Sequence, residues 1–360
     1  MKIIEIAKKI EKNGGRLYLV GGAVRDHLLG MKNHDEDYCV VGIEEKEFQE
    51  LFPQAIKRGK SFGVYDLEGK EFALARKEIK TGEGHQAFKI ETARNITIEE
   101  DLKRRDITIN AIARDVLTGE YKDPFGGRED IKKRTIRATS KAFQEDPLRV
   151  YRVARFASVL QFNVEEQTLK MMKQVESELK TISKERIYEE LKKALNGISP
   201  SLFFETLKQA RVLHTHFPEI EKLIGAEQPK QYHPEGDAFI HSMEVLERVA
   251  NLTEKEEIRF AALVHDLGKG ETPKDEYPHH YGHDKKGIIP IKNMCKRLGL
   301  PNKWEKCGIT AAKEHMIGGI FHQMRASKQV DFIERVAKSP LGLERNENHC
   351  RSRWKRNSRF

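Results

Sequence analysis

No stretch of this chain approaches the roughly 20 consecutive apolar residues that a membrane-spanning helix requires, and its N-terminus has no signal-peptide core. A membrane partner is therefore not expected, and a cytoplasmic location is. Cysteine is scarce: Cys39, Cys295, Cys307 and Cys350 stand apart with no CxxC spacing. That pattern predicts free thiols in a reducing compartment and excludes a cysteine zinc site. Internal repeats and low-complexity segments are not evident. Acidic residues are outnumbered, 56 Asp and Glu against 65 Lys and Arg, for a net charge of +9. The bias is mild and suits a polyanionic partner. With 360 residues the chain is long enough for two or three domains with their own cores.

What is present centres on residues 17–41, LYLVGGAVRDHLLGMKNHDEDYCVV. Four residues rich in β-formers lead into Gly21-Gly22, and a short amphipathic segment then runs to a stop at Gly30. This reads as strand, tight glycine turn and helix, a turn whose backbone N–H groups can cradle phosphates. Asp35 and Asp37 sit two apart at the start of a second β-like run, so a strand would project both carboxylates to one side. Mg²⁺ held against a nucleoside triphosphate takes such hard oxygen ligands. Each half also has a bland reading: glycine turns before helices are common in α/β proteins, and an acidic pair before a strand is often a solvated loop.

The combination, GGxxRDxxLG followed by DxD before a hydrophobic strand, resembles the head-domain signature of the class II tRNA nucleotidyltransferases. These are the CCA-adding enzymes, whose relatives are the bacterial poly(A) polymerases. The resemblance implies that Gly22 and Arg25 contact the nucleotide phosphates and that Asp35 and Asp37 hold Mg²⁺. Where the family has a small or basic residue between its carboxylates, Glu36 stands here. Alternation along a strand would point it away from the metal.

Around this stretch the pattern predicts a lead helix, IIEIAKKIEK, ended by Asn13-Gly14-Gly15, a helix at EEKEFQELF, and a hairpin from SFGVYDLEG to KEFALARKE turned at Glu68-Gly69. Residues 80–100 lack a steady period and carry glycine, which predicts a mobile loop. In the family a flexible loop here serves the switch from adding C to adding A, and its full length implies an enzyme able to add the final A. In DLKRRDITINAIARD the paired arginines suit a bidentate clamp on a triphosphate, with Asp106 and Asn110 available to orient them. A solvent-facing basic turn before a helix fits as well. Likeness to the family's RRDxTxNA motif implies that Arg105 is a nucleotide contact supported by Asp106 and Asn110. DPFGGREDIKKRTIR resembles the connector that closes the head.

From about Thr139 the pattern turns helical. EDPLRVYRVARFASVLQF sets Arg149, Arg152 and Arg155 at three-residue spacing on one side of a helix, with Val150, Val153, Phe156 and Ala157 on another. A basic face of this kind is usually solvated, or binds phosphate in a nucleic-acid enzyme. The EDxxR of Glu145, Asp146 and Arg149 resembles the motif by which the family selects nucleotides. It implies that Asp146 and Arg149 read the Watson–Crick edge of C or A in place of a template, with Glu145 in support and Arg152 on phosphate or ribose. SKERIYEELKKAL, with Ser183 at its N-cap, reads as a packing helix. The irregular GAEQPKQYHPEGDAF marks a domain boundary.

His241, the HDLGKG of residues 265–270, and HHYGHDKKG with His279, His280 and His283 form a second constellation. Adjacent His-Asp at a helix end with a distant His suits a divalent transition metal, whereas a lone His is usually structural and HH in a polar loop often has no role. His-Asp followed by LGKG resembles the HD phosphohydrolase superfamily. That implies metal ligation by His241, His265 and Asp266, with Ni²⁺ one candidate, and hydrolysis of cyclic and 2′-phosphoesters. In HD-carrying CCA-adding enzymes a final ligand Asp lies in a segment like EADxxGR, but LGLERNENHCRSRWKRNSRF follows KQVDFIERVAKSP here. Residues 345–360 carry six basic residues and one acidic, which reads as a disordered RNA-binding tail or as an out-of-frame one. With permitted codons, residues 346–357 shifted by one base read MKIIAEADGKG. The expectation is a frame disruption near Arg345 and an impaired hydrolase.

The expected fold is α+β. A polymerase-β-like mixed-sheet nucleotidyltransferase head spans residues 1–138, an all-α neck and body 139–225, a truncated α-helical HD domain 226–345, and a basic tail 346–360. The expected activity is template-independent addition of C, C and A to the tRNA 3′ end from CTP and ATP, with Mg²⁺ on Asp35 and Asp37 activating the 3′-hydroxyl as pyrophosphate leaves. One alternative is a poly(A) polymerase or an enzyme adding only A; another is a non-catalytic RNA-binding protein on the same scaffold. Retention of both carboxylates, RRD and EDxxR speaks against the last. Oligomeric state is not legible in the sequence.

Overall fold

The computed structural model describes residues 2–31, 36–58, 63–80 and 88–342. It falls into two compact units: the described residues up to Arg149 together with Phe162–Thr181, and Val150–Gln161 together with the described residues from Ile182 onward.

In the first unit α1 (Ile3–Lys12) precedes β1 (Arg16–Val20), and α2 (Gly22–Leu28) follows it across the glycine turn. Then come β2 (Asp37–Val41), α3 (Glu45–Leu51), β3 (Ile56–Arg58), β4 (Val64–Leu67) and β5 (Lys70–Leu74). After β6 (Arg76–Lys80) and β7 (Phe88–Thr92) the chain continues as α4 (Ile98–Lys103), β8 (Ala113–Asp115), β9 (Tyr121–Lys122), α5 (Gly127–Lys132) and β10 (Thr135–Ile136). The main sheet is mixed, in the order β3-β4-β5-β2-β1-β8-β9, with β2 and β5 parallel and every other pair antiparallel.

Both faces of this sheet are covered, which is why β1 and β2 read as unbroken apolar runs. Leu17, Tyr38 and Val40 enter a core with Ile6, Ile10, Phe48 and Phe72. Tyr18, Val20 and Cys39, of the opposite parity, enter another with Ile98, Leu102 and Ala113. Each such buried side chain contributes about 1.5–3 kcal/mol, so a slip of one residue between β1 and β2 would expose both cores at once.

The expected loop over 80–100 is corrected in part. β7 pairs antiparallel with β6 from Arg76↔Thr92 to Lys80↔Phe88, and α4 begins at Ile98. A two-stranded ribbon is held by its backbone ladder and needs no clean apolar alternation, so RKEIK and FKIET gave no periodic signal. The middle of that loop, residues 81–87, lies outside the described residues. The hairpin turn falls at Glu68-Gly69 as expected, both at positive φ.

α6 (Arg149–Leu160) leaves the first unit, and β11 (Asn163–Val164), α7 (Glu166–Gln174) and α8 (Glu176–Leu179) return to it, β11 pairing parallel with β10. The second unit is helical: α9 (Lys184–Leu195), α10 (Ser201–Gln209), α11 (Pro218–Glu221), α12 (Ala238–Ala250), α13 (Glu256–Val264), α14 (His283–Lys286), α15 (Ile288–Leu298), α16 (Asn302–Gly319) and α17 (Ala326–Ala337). Arg155 of α6 is tied to the buried Glu190 of α9 at 2.6 Å, so this member of the basic helix face is a structural strut.

Cys39, Cys295 and Cys307 are buried free thiols, and burial pushes Cys295 up to about 12. Cys350 and the expected out-of-frame tail lie outside the described residues. Among the described residues no helix is long and apolar enough to cross a membrane.

Candidate nucleotide and metal sites

The first site forms where β1 ends. Val20 lies opposite Asp37 in the β1–β2 ladder, so the first residue of β2 stands beside the glycine turn. Asp37 shares its parity with Cys39, and Glu36 faces the other way, its carboxylate held by the Tyr38 hydroxyl at 3.0 Å and by Lys70. Asp35 lies outside the described residues. In the parallel β2–β5 ladder Asp37 is paired with Glu71, and both are exposed. Paired residues of adjacent strands project to the same face, so a second carboxylate stands beside Asp37 on that face.

Gly21 has φ +71°, and a Cβ there would lie 2.8 Å from Arg105 Nη1. The turn therefore needs glycine both for its backbone and for the guanidinium packed against it. Behind Gly22, Arg25 donates Nη1 to Asn110 Oδ1 at 2.7 Å and grips Asp26 at 2.7 Å. Asn110 in turn donates to Asp106 Oδ1 at 3.2 Å. The side chains of Asp106 and Asn110 thus orient Arg25, and the Asn110 carbonyl accepts Arg105 Nη1 at 3.5 Å. Asp101, 1% exposed, accepts Arg104 Nη2 at 2.6 Å and Arg105 Nη2 at 3.3 Å. Burial alone would raise the Asp101 carboxyl, but the two arginines outweigh it and hold it below its ordinary value.

Glu145 ends a 3₁₀ turn, and Asp146 Oδ1 accepts the Leu148 N–H at 3.1 Å where α6 begins. Arg149 is buried, donating to the carbonyls of Ala142 at 2.5 Å and Arg104 at 2.6 Å. It links the EDxxR turn to the RRD segment within the first unit. Arg152 belongs to the second unit, its guanidinium 5.6 Å from the Phe156 ring.

The second site lies within the helical unit. His265 and Asp266 close α13, His241 comes from α12, His283 opens α14 and His315 sits near the end of α16. Gly268 makes this convergence possible, since a Cβ there would be 2.0 Å from the His283 carbonyl. Asp266 is the hub. Its Oδ2 is 3.2 Å from His265 Nε2, 3.5 Å from His241 Nε2 and 2.7 Å from Lys269 Nζ, and its Oδ1 is 3.2 Å from His315 Nε2 and 3.5 Å from His283 Nε2.

Burial alone would raise the Asp266 carboxyl, but His265 and Lys269 hold it well below the usual range. Burial pushes His265 down to about 4, leaving a neutral imidazole suited to ligation. A buried carboxylate oxygen without a hydrogen bond, Asp266 Oδ1, and inward imidazoles fit a divalent cation. His280 instead bonds Thr272 and the Glu227 carbonyl, and His279 stacks on Tyr281.

Three families match in succession: that described as Poly A polymerase head domain over residues 17–137, that described as Probable RNA and SrmB- binding site of polymerase A over 161–224, and the HD domain over 238–337. The Multifunctional CCA protein of Nitrosococcus oceani is 42% identical over 325 residues, which are 89% of this chain and 79% of that protein. The chain belongs to the multifunctional CCA protein family. The family's Shewanella frigidimarina member is 43% identical over 327 residues, 89% of this chain and 78% of its own.

Solved structures share the fold. "The structure of CCA-adding enzyme apo form II" matches with a TM-score of 0.65 at 23% identity, covering 97% of this chain and 78% of that one. The Thermotoga maritima CCA-adding enzyme complexed with tRNA matches at 0.64 and 22%, covering 97% and 77%. "The complex structure of CCA-adding enzyme with ATP" matches at 0.63 and 22%, covering 97% and 76%.

Within this chain, sequence reading missed Glu71, Asp101, His315 and Glu235, whose carboxylate holds His241 Nδ1, and left His283 unassigned. The EFALAR run that begins at Glu71 carries no spacing to the DxD motif, because β2 and β5 meet only through the sheet. His315 is a single His on an 18-residue helix, 49 positions beyond Asp266.

Proposed function

We propose that the chain is a CCA-adding tRNA nucleotidyltransferase that adds C, C and A to the tRNA 3′ end from CTP and ATP and releases pyrophosphate in the cytoplasm. The observation that carries this reading is the register of β1 and β2, which sets Asp37 against the Gly21-Gly22 turn with Arg25 and Arg105 converging on the same turn. Residues 1–138 then serve as the transferase head, 139–225 as neck and body, and 226–345 as the HD domain.

Asp35 and Asp37 hold Mg²⁺ in this reading, and Glu71 is a further oxygen donor beside Asp37. When bound, the cation stabilises charge on the phosphates and lowers the pKa of the attacking hydroxyl. The chain's residues do the rest. The Gly22 backbone, Arg25 and Arg105 bind the triphosphate, which leaves the α-phosphorus open to the 3′-oxygen while the bond to the β-phosphate breaks. Asp106 and Asn110 orient Arg25, and Asp101 orients Arg105. Asp146 and Arg149 accept and donate to the base edge, Glu145 supports that turn, and Arg152 contacts phosphate or ribose. His241, His265 and Asp266 bind a divalent transition metal, Ni²⁺ among the candidates, at a phosphohydrolase site.

Nucleotide choice tests the reading. On tRNA ending in CC, wild type is expected to add one AMP and to reject UTP and GTP. Asp146→Ala is expected to lose about 1–3 kcal/mol of that discrimination, roughly 5- to 150-fold. Arg149→Ala is expected to do the same with lower stability, because its two carbonyl acceptors are left buried. Unchanged rejection of UTP and GTP by Asp146→Ala would overturn the protein-template role. A long tail made from ATP alone would favour a poly(A) polymerase.

A further inference from the structure

Solvent reaches the histidine cluster unevenly. His241 and His283 keep 11% and 10% of their side chains exposed, against 3% for His265 and 4% for His315. A ligand of the cluster therefore arrives past His241 and His283, and the segments beside those two residues decide what it meets.

Both segments are loops, and they are tied to each other. Loop 228–236 is closed by an antiparallel bridge between Glu227 and Asp237 and by the Gln228 N–H, which donates to the Gly236 carbonyl at 3.0 Å. Its Glu235 carboxylate holds His241 Nδ1, and its His233 ring stands 4.7 Å from that of His241. Loop 277–283 turns at Gly282, with φ +69°, and delivers His283 to Asp266. Between the two, His280 is buried, its Nε2 donating to the Glu227 carbonyl at 2.8 Å and its Nδ1 3.0 Å from Thr272 Oγ1. A buried imidazole with both nitrogens bonded fixes one loop against the other.

On this frame stand Tyr232 and Tyr281. Each is 72% exposed, and among the described residues no other Phe, Tyr or Trp side chain is exposed. Tyr232 adjoins His233 and Tyr281 is two residues from His283, so each tyrosine Cα lies within about 7 Å of a histidine of its loop, the reach of two extended residues. His279 backs one face of the Tyr281 ring, with centroids 5.7 Å apart and planes 21° apart, and the opposite face meets solvent. The groups that ring Asp266 are His241, His265, Lys269, His283 and His315, so the tyrosines have no part at the carboxylate itself. Open aromatic rings beside a phosphoester site suit a flat π-system carried one sugar away from the phosphate, and stacking of this kind accepts any nucleobase.

We propose that Tyr232 and Tyr281 are specificity-determining residues of the helical unit's phosphohydrolase site, stacking on the base of a nucleoside 2′-phosphoester and so selecting it over a phosphate that carries no base. The proposal rests on the reading of the cluster as a phosphohydrolase site.

The experiment uses the full chain with Ni²⁺ present and isothermal titration calorimetry of two probes, adenosine 2′-phosphate and inorganic phosphate. Asp266→Asn and His265→Gln, titrated beside wild type, identify the share of binding that belongs to the cluster and not to the nucleotide site of the head. For that share, wild type is expected to bind adenosine 2′-phosphate more tightly than inorganic phosphate. Tyr232→Ala and Tyr281→Ala should each weaken adenosine 2′-phosphate by about 5- to 150-fold and leave inorganic phosphate unchanged. Tyr232→Phe and Tyr281→Phe keep the ring and should bind as wild type does. Equal affinity of wild type for the two probes would overturn the platform, and so would adenosine 2′-phosphate binding untouched by both alanine variants or a fall equal for both probes. If neither probe's binding responds to Asp266→Asn or His265→Gln, the phosphohydrolase reading itself is overturned.

Discussion

Asp37→Ala is expected to abolish transfer of both CMP and AMP while tRNA binding is kept, and Asp35→Ala to do the same. Removing a ligand of a catalytic cation forfeits several kcal/mol of charge stabilisation in phosphoryl transfer, on the order of a thousandfold in rate or more. The β1–β2 register explains why the loss is confined to chemistry: Asp37 is exposed at a strand end, outside both apolar cores of the head. Melting temperature should therefore move little. Glu71→Gln, paired with Asp37 across the β2–β5 ladder, is expected to slow both additions alike, since a metal-side residue acts before base identity matters. Single-turnover rates beside a tRNA gel shift provide the measurement. Normal turnover by Asp37→Ala would remove the carboxylate from the site.

Asp101→Ala is expected to have the largest effect on stability in the head. It would leave Arg104 and Arg105 facing a buried space that a carboxylate now fills at 1% exposure. Breaking a buried pair by removing one partner costs about 3–5 kcal/mol, which for a unit of this size is a melting shift of roughly 10 °C. Because Arg105 also packs against Gly21, the apparent KM for both nucleotides should rise more than kcat falls.

The pH dependence has a definite sign. The folded-state pKa of Asp101 lies below its ordinary value, so its contribution is complete above about pH 4, where an unfolded Asp is ionised, and is lost as the pH falls further. The stability gap between wild type and Asp101→Asn is expected to be constant at neutral pH and to close in acid. A gap that widened in acid would contradict the pairing.

How much of this was legible in the sequence depended on how local each signal was. The glycine turn with Arg25, the RRD segment, EDxxR and HDLGKG are contiguous, and each lands in a site as a short piece of chain. Asp101 sits in an EED run that opens α4 and reads as an acidic first turn. Which of the three carboxylates turns inward is decided by the phase of that helix against the sheet. Asp106 and Asn110 were legible as supports, and Asn110 accepts Arg105 Nη1 on its carbonyl at 3.5 Å, but its side chain also reaches Arg25, 85 positions away, which no local spacing signals. The pairing of β6 with β7 was missed because a ribbon needs no apolar period. At the histidine cluster HD was plain, whereas His283 comes up to Asp266 where Gly268 lets one backbone segment cross another, and His315 reaches it from α16, 49 positions along the chain.

The central claim is tested most directly by offering the purified chain a tRNA that lacks its terminal CCA, with CTP and ATP supplied singly and together and the products read at single-nucleotide resolution. CTP alone is expected to extend the tRNA by two nucleotides and both together by three, ending in CCA, while ATP alone gives no tail. Failure to extend with both nucleotides present, or an untemplated run of A from ATP alone, would contradict it.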